Sequence, residues 1–118
     1  MQVKVLKSKL HRARVTATKL HYPGSIAIDQ NLMQAAGILP YESVLVANVN
    51  NGNRFETYVV PAKPGSREIV VLGAAAQLAQ PEDVVIILGF AYCTPQEAAE
   101  LIPKVVVLDE KNEIVNQE

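Results

Sequence analysis

The stretch Val84-Val85-Ile86-Ile87-Leu88-Gly89-Phe90 carries the strongest fold signal in the chain. It consists mostly of β-branched and other aliphatic residues, and a short continuous apolar run of this kind is typical of a fully buried β-strand. The apolar run continues to Cys93 and is then ten residues long, with one glycine inside it. That length is too short to cross a bilayer as a helix. We therefore expect residues 84–90 to form a strand inside a β fold.

Shorter segments of similar composition lie on either side of this run. They predict strands within residues 1–18, 44–49, 54–60, 69–72, 105–108 and 114–115. Asn51-Gly52 is a typical hairpin turn between two of them. Pro61 and the cluster Pro64-Gly65-Ser66 indicate a further turn.

Three short helices are predicted between the strands. One begins at an Asp29 cap and ends at Gly37, and one covers residues 74–79. The third covers residues 95–101, where Thr94-Pro95-Gln96-Glu97 forms a capping box with proline at the first helical position. Many short strands with few helices favour a mainly β, closed barrel, and the length of 118 residues favours a single domain over residues 1–118.

Charge and cysteine content limit the possible functions. Residues 1–28 hold six basic and no acidic residues, whereas residues 29–118 hold five basic and twelve acidic ones, which gives a net charge of −1. The basic segment alternates like a strand and lacks interleaved aromatics, so we expect no nucleic-acid partner. The single cysteine, Cys93, cannot form an internal disulfide. We expect a cytoplasmic protein with no membrane partner, because no signal peptide or membrane-spanning run is recognisable.

The tetrad Tyr22-Pro23-Gly24-Ser25 can support a reaction of the backbone itself. Gly24 has no Cβ, so its carbonyl is open to attack by the hydroxyl of Ser25. Attack converts the amide to an ester, and elimination then leaves a new chain that begins with a pyruvoyl group. A ketone of this kind can capture an amine and act as an electron sink. Gly65-Ser66, the second such pair, follows Pro64 and is interpreted as an ordinary turn.

Several segments in addition to this tetrad carry a resemblance to a known family. The chain resembles the aspartate 1-decarboxylase family from about Lys9 to about Pro103, in blocks at residues 9–12, 20–30, 35–39, 51–58 and 73–76. The resemblance implies a small double-psi β-barrel assembled as a homotetramer, with active sites at subunit interfaces. It also implies autocatalytic cleavage of a zymogen between Gly24 and Ser25. The pyruvoyl group from Ser25 is then the only cofactor, with no metal, and it decarboxylates L-aspartate through a Schiff base to β-alanine for pantothenate biosynthesis.

The same resemblance implies roles for individual residues. Ser25 provides the pyruvoyl group, and Tyr58 donates the proton, since a phenol is protonated near neutral pH. Gly24, Ser25 and Thr57 belong to the cleavage step. The remaining positions are implied in substrate binding: Lys9, Arg54, His11, Tyr22, Gly73, Ala74 and Ala75. Arg54 is the first choice for a substrate carboxylate, because a guanidinium matches a carboxylate with two prongs.

One departure from the family pattern leaves alternatives open. The family has asparagine directly before Gly-Ala-Ala-Ala, where this chain has Leu72. Leucine offers no hydrogen bond, so slower cleavage or a different amino acid as substrate is an alternative. A second alternative is an uncleaved, precursor-like barrel that serves as a binding module. Whether a maturation helper protein takes part is also left open.

Overall fold

The computed structural model describes residues 1–117 of the 118-residue chain. Within these residues nine strands form one mixed sheet. In chain order they are β1 Val3–Arg14, β2 Ala17–Lys19, β3 Ser25–Asp29, β4 Ser43–Asn48, β5 Arg54–Ala62, β6 Ile69–Leu72, β7 Val84–Cys93, β8 Lys104–Leu108 and β9 Ile114–Gln117. Two α-helices, α1 Gln30–Ala36 and α2 Pro95–Glu100, and a 3₁₀ helix, Gly73–Leu78, lie between strands.

The sheet combines parallel and antiparallel strand pairs. The strand order is β2-β6-β3-β5-β4-β7-β1-β8-β9, and the parallel pairs are β2 with β6, β3 with β5, and β1 with β8. Between β1 and β2, the Val15 N–H donates to the Asp83 carbonyl at 2.9 Å and the Thr16 N–H to the Ile69 carbonyl at 2.8 Å. These two bonds connect the segment between β1 and β2 to the residue just before β7 on one side and to β6 on the other. The predicted mainly β fold with a few short helices is confirmed, and the pairing is consistent with a small double-psi β-barrel.

The core is aliphatic, as the scarcity of aromatic residues requires. Its fully buried side chains come from most of the strands and from α1, and include Leu10, Ile26, Ile28, Leu32, Val46, Ile69 and Ile87. The prediction that residues 84–90 are fully buried is wrong in one respect. Ile86 and Leu88 are only half-buried, because alternate residues of β7 point away from the core.

Helix α1 follows from local signals that the sequence contains. The Asp29 carboxylate caps it by accepting from the Asn31 N–H at 2.8 Å, and Gly37 ends it with a left-handed φ of 71°. Its buried face is Leu32, Met33 and Ala36, the face that the spacing predicts. The predicted helix at 74–79 is the 3₁₀ helix.

The interpretation of Pro61 as a turn residue is wrong. Pro61 lies inside β5, opposite Ile28 of β3. The pairing of β5 with β4 ends at Tyr58, so Pro61 has a strand neighbour on one side only. Its missing N–H therefore leaves no ladder bond unmade.

Asp29 also fixes the far end of β3, the strand that begins at Ser25. Its side chain is completely buried and accepts hydrogen bonds from the Gly65 N–H at 3.0 Å and the Arg67 N–H at 2.8 Å, beside the helix cap. Burial alone raises the pKa of a carboxyl. Here the backbone hydrogen bonds from Arg67, Gly65 and Asn31, together with the Arg67 charge, outweigh burial and lower the pKa of Asp29.

Replacing Asp29 with asparagine is expected to destabilise the fold by about 1–3 kcal/mol at pH 7, because a charged acceptor of three hydrogen bonds is lost. The pKa of Asp29 is lower in the folded chain, so its contribution is complete above the unfolded value near 4 and disappears as the pH falls further. Urea unfolding of both chains at pH 7, 4 and 3 measures this.

Asp109→Asn is the control, since hydrogen bonds from Glu113 and Lys111 also lower the pKa of Asp109, but in a more accessible turn. The difference in unfolding free energy between Asp29→Asn and the original chain is expected to shrink at low pH. A difference that stays constant between pH 7 and pH 3 contradicts a lowered pKa of Asp29 in the folded chain.

Candidate active site

The bond between Gly24 and Ser25 lies where an exposed loop enters the barrel. Tyr22 is 53% exposed, whereas Ser25 is only 4% exposed and is the first residue of β3. The Lys19 ammonium lies over the Tyr22 ring, 5.1 Å from its centroid. The loop is thus held just before the Gly-Ser bond by a cation–π contact, and the serine after the bond is fixed in the sheet.

Two strands flank Ser25. On one side it is the direct antiparallel partner of Leu72 in β6. On the other side Ile26 pairs with Val59 of β5, so Tyr58 occupies the position level with Ser25. Side chains alternate along a strand. Ser25, Leu72 and Tyr58 therefore lie on the face opposite to that of the buried Ile26 and Val59. Leu72, a departure from the pattern that the resemblance implies, is therefore the cross-strand neighbour of the serine.

Gly73 brings a second stretch of backbone against Gly24. It has a left-handed φ of 79°, and a Cβ at this position would lie 2.6 Å from Gly24 Cα and 2.9 Å from the Tyr22 carbonyl oxygen. Real Cβ atoms do not come so close to backbone, so this contact requires glycine. The structure thus places Gly73 directly against the residue that precedes Ser25. Ala74 and Ala75 follow in the 3₁₀ helix, where Ala74 is exposed and Ala75 is half-buried against the core.

Thr57 and Tyr58 are neighbours on β5 with different surroundings. Thr57 is half-buried opposite Val44, and Tyr58 is 40% exposed opposite Ser43. Alternation directs their side chains to opposite faces of the sheet. Of the two, Tyr58 is on the face that Ser25 shares, and it is open to a molecule arriving from solvent.

Arg54 begins β5 directly after the turn at Asn51-Gly52. It is exposed and lies on the same face as Tyr58, four residues away on the same strand. None of the ion pairs within residues 1–117 involves Arg54. Its guanidinium is therefore available to bind an external carboxylate.

Lys9 and His11 lie elsewhere in the sheet. Both are half-buried residues of β1, which pairs with β7 and β8 and is separated from β5 by β4 and β7 in the strand order. Strand pairing within one chain does not bring them next to Ser25. Burial, and then the charges of Lys9 and Arg12, lower the pKa of His11, so its ring is neutral at pH 7.

The residues in positions 1–117 contain no group of three or more His, Cys, Asp or Glu side chains that could hold a metal ion. Among the helices of that same part of the chain, none has the length and apolarity needed to cross a bilayer.

Two contacts of the site have no visible signal in the sequence. Lys19 is in register with Leu72, and therefore in the same cross-strand row as Ser25. Tyr41 places its ring against that of Tyr58, with 6.3 Å between the centroids. Both contacts join residues distant in sequence, so only the fold shows them.

The fold and site define a small β-barrel protein with a Gly-Ser bond held against a second glycine at the end of two adjoining strands. The family model described as aspartate decarboxylase matches residues 1–115. The aspartate 1-decarboxylase of Clostridium acetobutylicum is 53% identical over 116 residues, 98% of this chain and 91% of that protein. Its counterpart in Salinibacter ruber is 52% identical over 114 residues, 97% of this chain and 78% of that protein. The chain belongs to the aspartate decarboxylase family, and the predicted family and enzyme class are confirmed.

Proposed function

We propose that the chain converts L-aspartate to β-alanine and carbon dioxide for pantothenate biosynthesis, after it has cut itself between Gly24 and Ser25. The observation that carries the proposal is the buried Ser25 at the start of β3, with Gly24 in backbone contact with Gly73. Residues 1–118 act as a single domain in this proposal. The cytoplasmic location stays a prediction.

The cleavage uses atoms of the chain and one water molecule. The Ser25 Oγ attacks the Gly24 carbonyl carbon, and the amide becomes an ester as its nitrogen is released to an amine. Loss of the Ser25 Cα proton then breaks the Cβ–Oγ bond, and Gly24 leaves as a carboxylate. Water replaces the nitrogen of residue 25, which departs as ammonia, and a pyruvoyl group remains. Thr57 is proposed to donate to the developing oxyanion.

The pyruvoyl group fits this site because it is made from residue 25 itself, at the buried start of β3 and level with the exposed Tyr58. When present, it supplies a ketone that captures the substrate amine and accepts the electrons left by carbon dioxide. The chain's own residues do the rest. Tyr58, level with residue 25, delivers a proton to the substrate carbon. Tyr22, Gly73, Ala74 and Ala75 border the space in which the substrate lies.

Aspartate has two carboxylates, and we assign them to Arg54 and Lys9. Lys9 and His11 lie on β1, so we propose that a second copy of the chain contributes them in a homotetramer with active sites between subunits. The outer face of the intervening strands supports this assembly. It carries half-buried Leu45, Ile86 and Leu88 beside Lys9, and the three apolar side chains suit the core of a partner surface. A maturation helper protein stays a prediction.

Arg54→Lys is expected to lower kcat/KM for L-aspartate by roughly tenfold or more while leaving cleavage intact. Lysine keeps the charge but not the two-pronged contact, and a hydrogen bond to a charged group contributes about 1.5–3 kcal/mol. Steady-state β-alanine formation, normalised to cleaved chain, measures the effect. Arg14→Lys is the matched control. Arg14 lies on β1, which β4 and β7 separate from the strand of Arg54, and its guanidinium is near Glu82. Equal kcat/KM values for the two variants would remove Arg54 from the site.

A denaturing intact-mass spectrum together with a product assay tests the whole proposal. Fragments of residues 1–24 and 25–118 are expected, the larger lighter by one ammonia than a chain that starts with serine. β-Alanine should form from L-aspartate. Cleavage without ammonia loss means simple hydrolysis and an inactive site. One uncut chain without activity favours the binding-module alternative.

Leu72 favours one second candidate within the same chemistry. Leu72 is the cross-strand partner of Ser25 at a position where the resemblance implies an amide donor, and the second candidate is therefore a pyruvoyl decarboxylase of another amino acid. Parallel assays with L-aspartate and L-glutamate separate the two candidates. Decarboxylation of glutamate but not aspartate would establish the second.

A further inference from the structure

Tyr41 has an unusual backbone for a large side chain. Its φ is 66°, in the left-handed region, and its side chain is 74% exposed. This conformation is costly for a bulky residue, and such residues concentrate at functional sites. The sequence places Tyr41 after Pro40 in an ordinary loop, so nothing local explains why an aromatic residue occupies the position.

Hydrogen bonds and an ion pair hold this turn rigidly. The Tyr41 N–H donates to the Val59 carbonyl at 2.7 Å, and the Val59 N–H donates to the Glu42 carbonyl at 3.0 Å. The Glu42 carboxylate accepts from the Lys7 ammonium at 2.7 Å and from the Leu39 N–H at 3.0 Å. Tyr41 is thereby fixed to the residue that directly follows Tyr58 on β5.

The ring of Tyr41 packs on the ring of Tyr58. Their centroids are 6.3 Å apart and their planes are inclined by 35°, which is within the range of favourable aromatic pairs. Tyr58 is 40% exposed, and its cross-strand partner is the small Ser43. Without the Tyr41 ring, the Tyr58 side chain would be free to adopt other rotamers.

We propose that Tyr41 is a positioning residue, which holds the Tyr58 ring in the orientation from which its hydroxyl serves the substrate beside residue 25. The inference rests on the proposed function, in which Tyr58 donates the proton. A proton donor must lie within hydrogen-bond reach of its acceptor. The rigid, left-handed Tyr41 backbone presents a ring at the height of Tyr58, and in this way restricts Tyr58 without contacting the reacting atoms.

Two substitutions separate the ring from the backbone. Tyr41→Asn removes the ring but tolerates the left-handed conformation, so the fold keeps its stability. Tyr41→Phe keeps the ring and loses only the hydroxyl. If Tyr41 serves the fold alone, neither substitution affects Tyr58.

The first measurement does not depend on activity. The chain has four tyrosines and no tryptophan, so NMR of a tyrosine-labelled Ser25→Ala chain shows four sets of ring signals. Tyr41→Asn is expected to shift the Tyr58 ring signals toward those of a mobile tyrosine, whereas Tyr41→Phe leaves them in place. Unchanged Tyr58 signals in Tyr41→Asn would overturn the proposal.

The second measurement is steady-state decarboxylation per cleaved chain. Tyr41→Asn is expected to lower kcat on the order of tenfold, within the hundredfold that a misplacement of about 1 Å can cost. KM should change by less than about twofold, and Tyr41→Phe should retain the original kcat. An equal kcat in all three chains, or a loss that accompanies subunit dissociation in light scattering, contradicts the proposal. If the original cleaved chain makes no β-alanine, the proposed function fails, and the NMR result still decides whether Tyr41 positions Tyr58.

Discussion

The Ser25→Ala chain is expected to remain in one piece of 118 residues and to form no β-alanine. Alanine has no hydroxyl to attack the Gly24 carbonyl, so neither the ester nor the pyruvoyl group can form. The loss is complete, because one side chain supplies both the cleavage nucleophile and the prosthetic group. Intact mass and a β-alanine assay measure the two consequences on one sample. β-Alanine production by this variant would exclude the pyruvoyl mechanism.

The chain contains its own matched control for this experiment. Ser66 also follows a glycine, and its hydroxyl accepts only a 3.3 Å hydrogen bond from the Glu68 N–H in an exposed turn. Gly65 has a left-handed φ of 80°, as expected for such a turn. Ser66→Ala is expected to cleave and decarboxylate like the original chain. The comparison separates removal of any serine hydroxyl after glycine from removal of the one at the start of β3.

Features governed by neighbouring residues were predictable from the sequence. The cap at Asp29, the left-handed Gly37 and the Thr94–Glu97 capping box each depend on a few adjacent positions, and α1 and α2 occur where these signals place them. Most strand positions followed from β-branched apolar runs, but β3 was not predicted, and Ser25 lies in this strand where the sequence indicated a turn. Pro61 was misjudged because β5 accepts a proline only where it no longer pairs with β4. No local pattern in the sequence indicates that this pairing ends before Pro61.

The candidate site was predictable only as a set of residues. Which of them meet depends on strand order. Tyr58 comes level with Ser25 because β3 and β5 are parallel neighbours, while Lys9 lies on β1, which three strands separate from β3. The backbone contact of Gly73 with Gly24 joins segments 49 positions apart (73 − 24 = 49). Physical rules for composition and periodicity do not act over such distances, so the resemblance alone linked these residues beforehand.

Gly73→Ala is expected to have the second large effect, because it pushes the Gly24 backbone away from its place. The added Cβ would lie 2.6 Å from Gly24 Cα and 2.8 Å from Gly24 N, so the loop must move. A displacement of about 1 Å at a reacting group costs up to hundredfold in rate, so cleavage should slow by that order. The rate of appearance of the 25–118 fragment, followed by mass spectrometry, measures it.

Gly52→Ala separates this contact from backbone strain. Gly52 has a φ of 76°, close to the 79° of Gly73, but nothing lies within 4 Å of its Cβ position. Each alanine therefore bears the left-handed cost of about 1–2 kcal/mol, and only Gly73→Ala adds overpacking of about 1–3 kcal/mol. Urea unfolding in the Ser25→Ala background compares the two as uncut chains. If Gly52→Ala and Gly73→Ala were equally stable and cleaved at equal rates, close packing of Gly73 against Gly24 would not determine the reactivity of the bond.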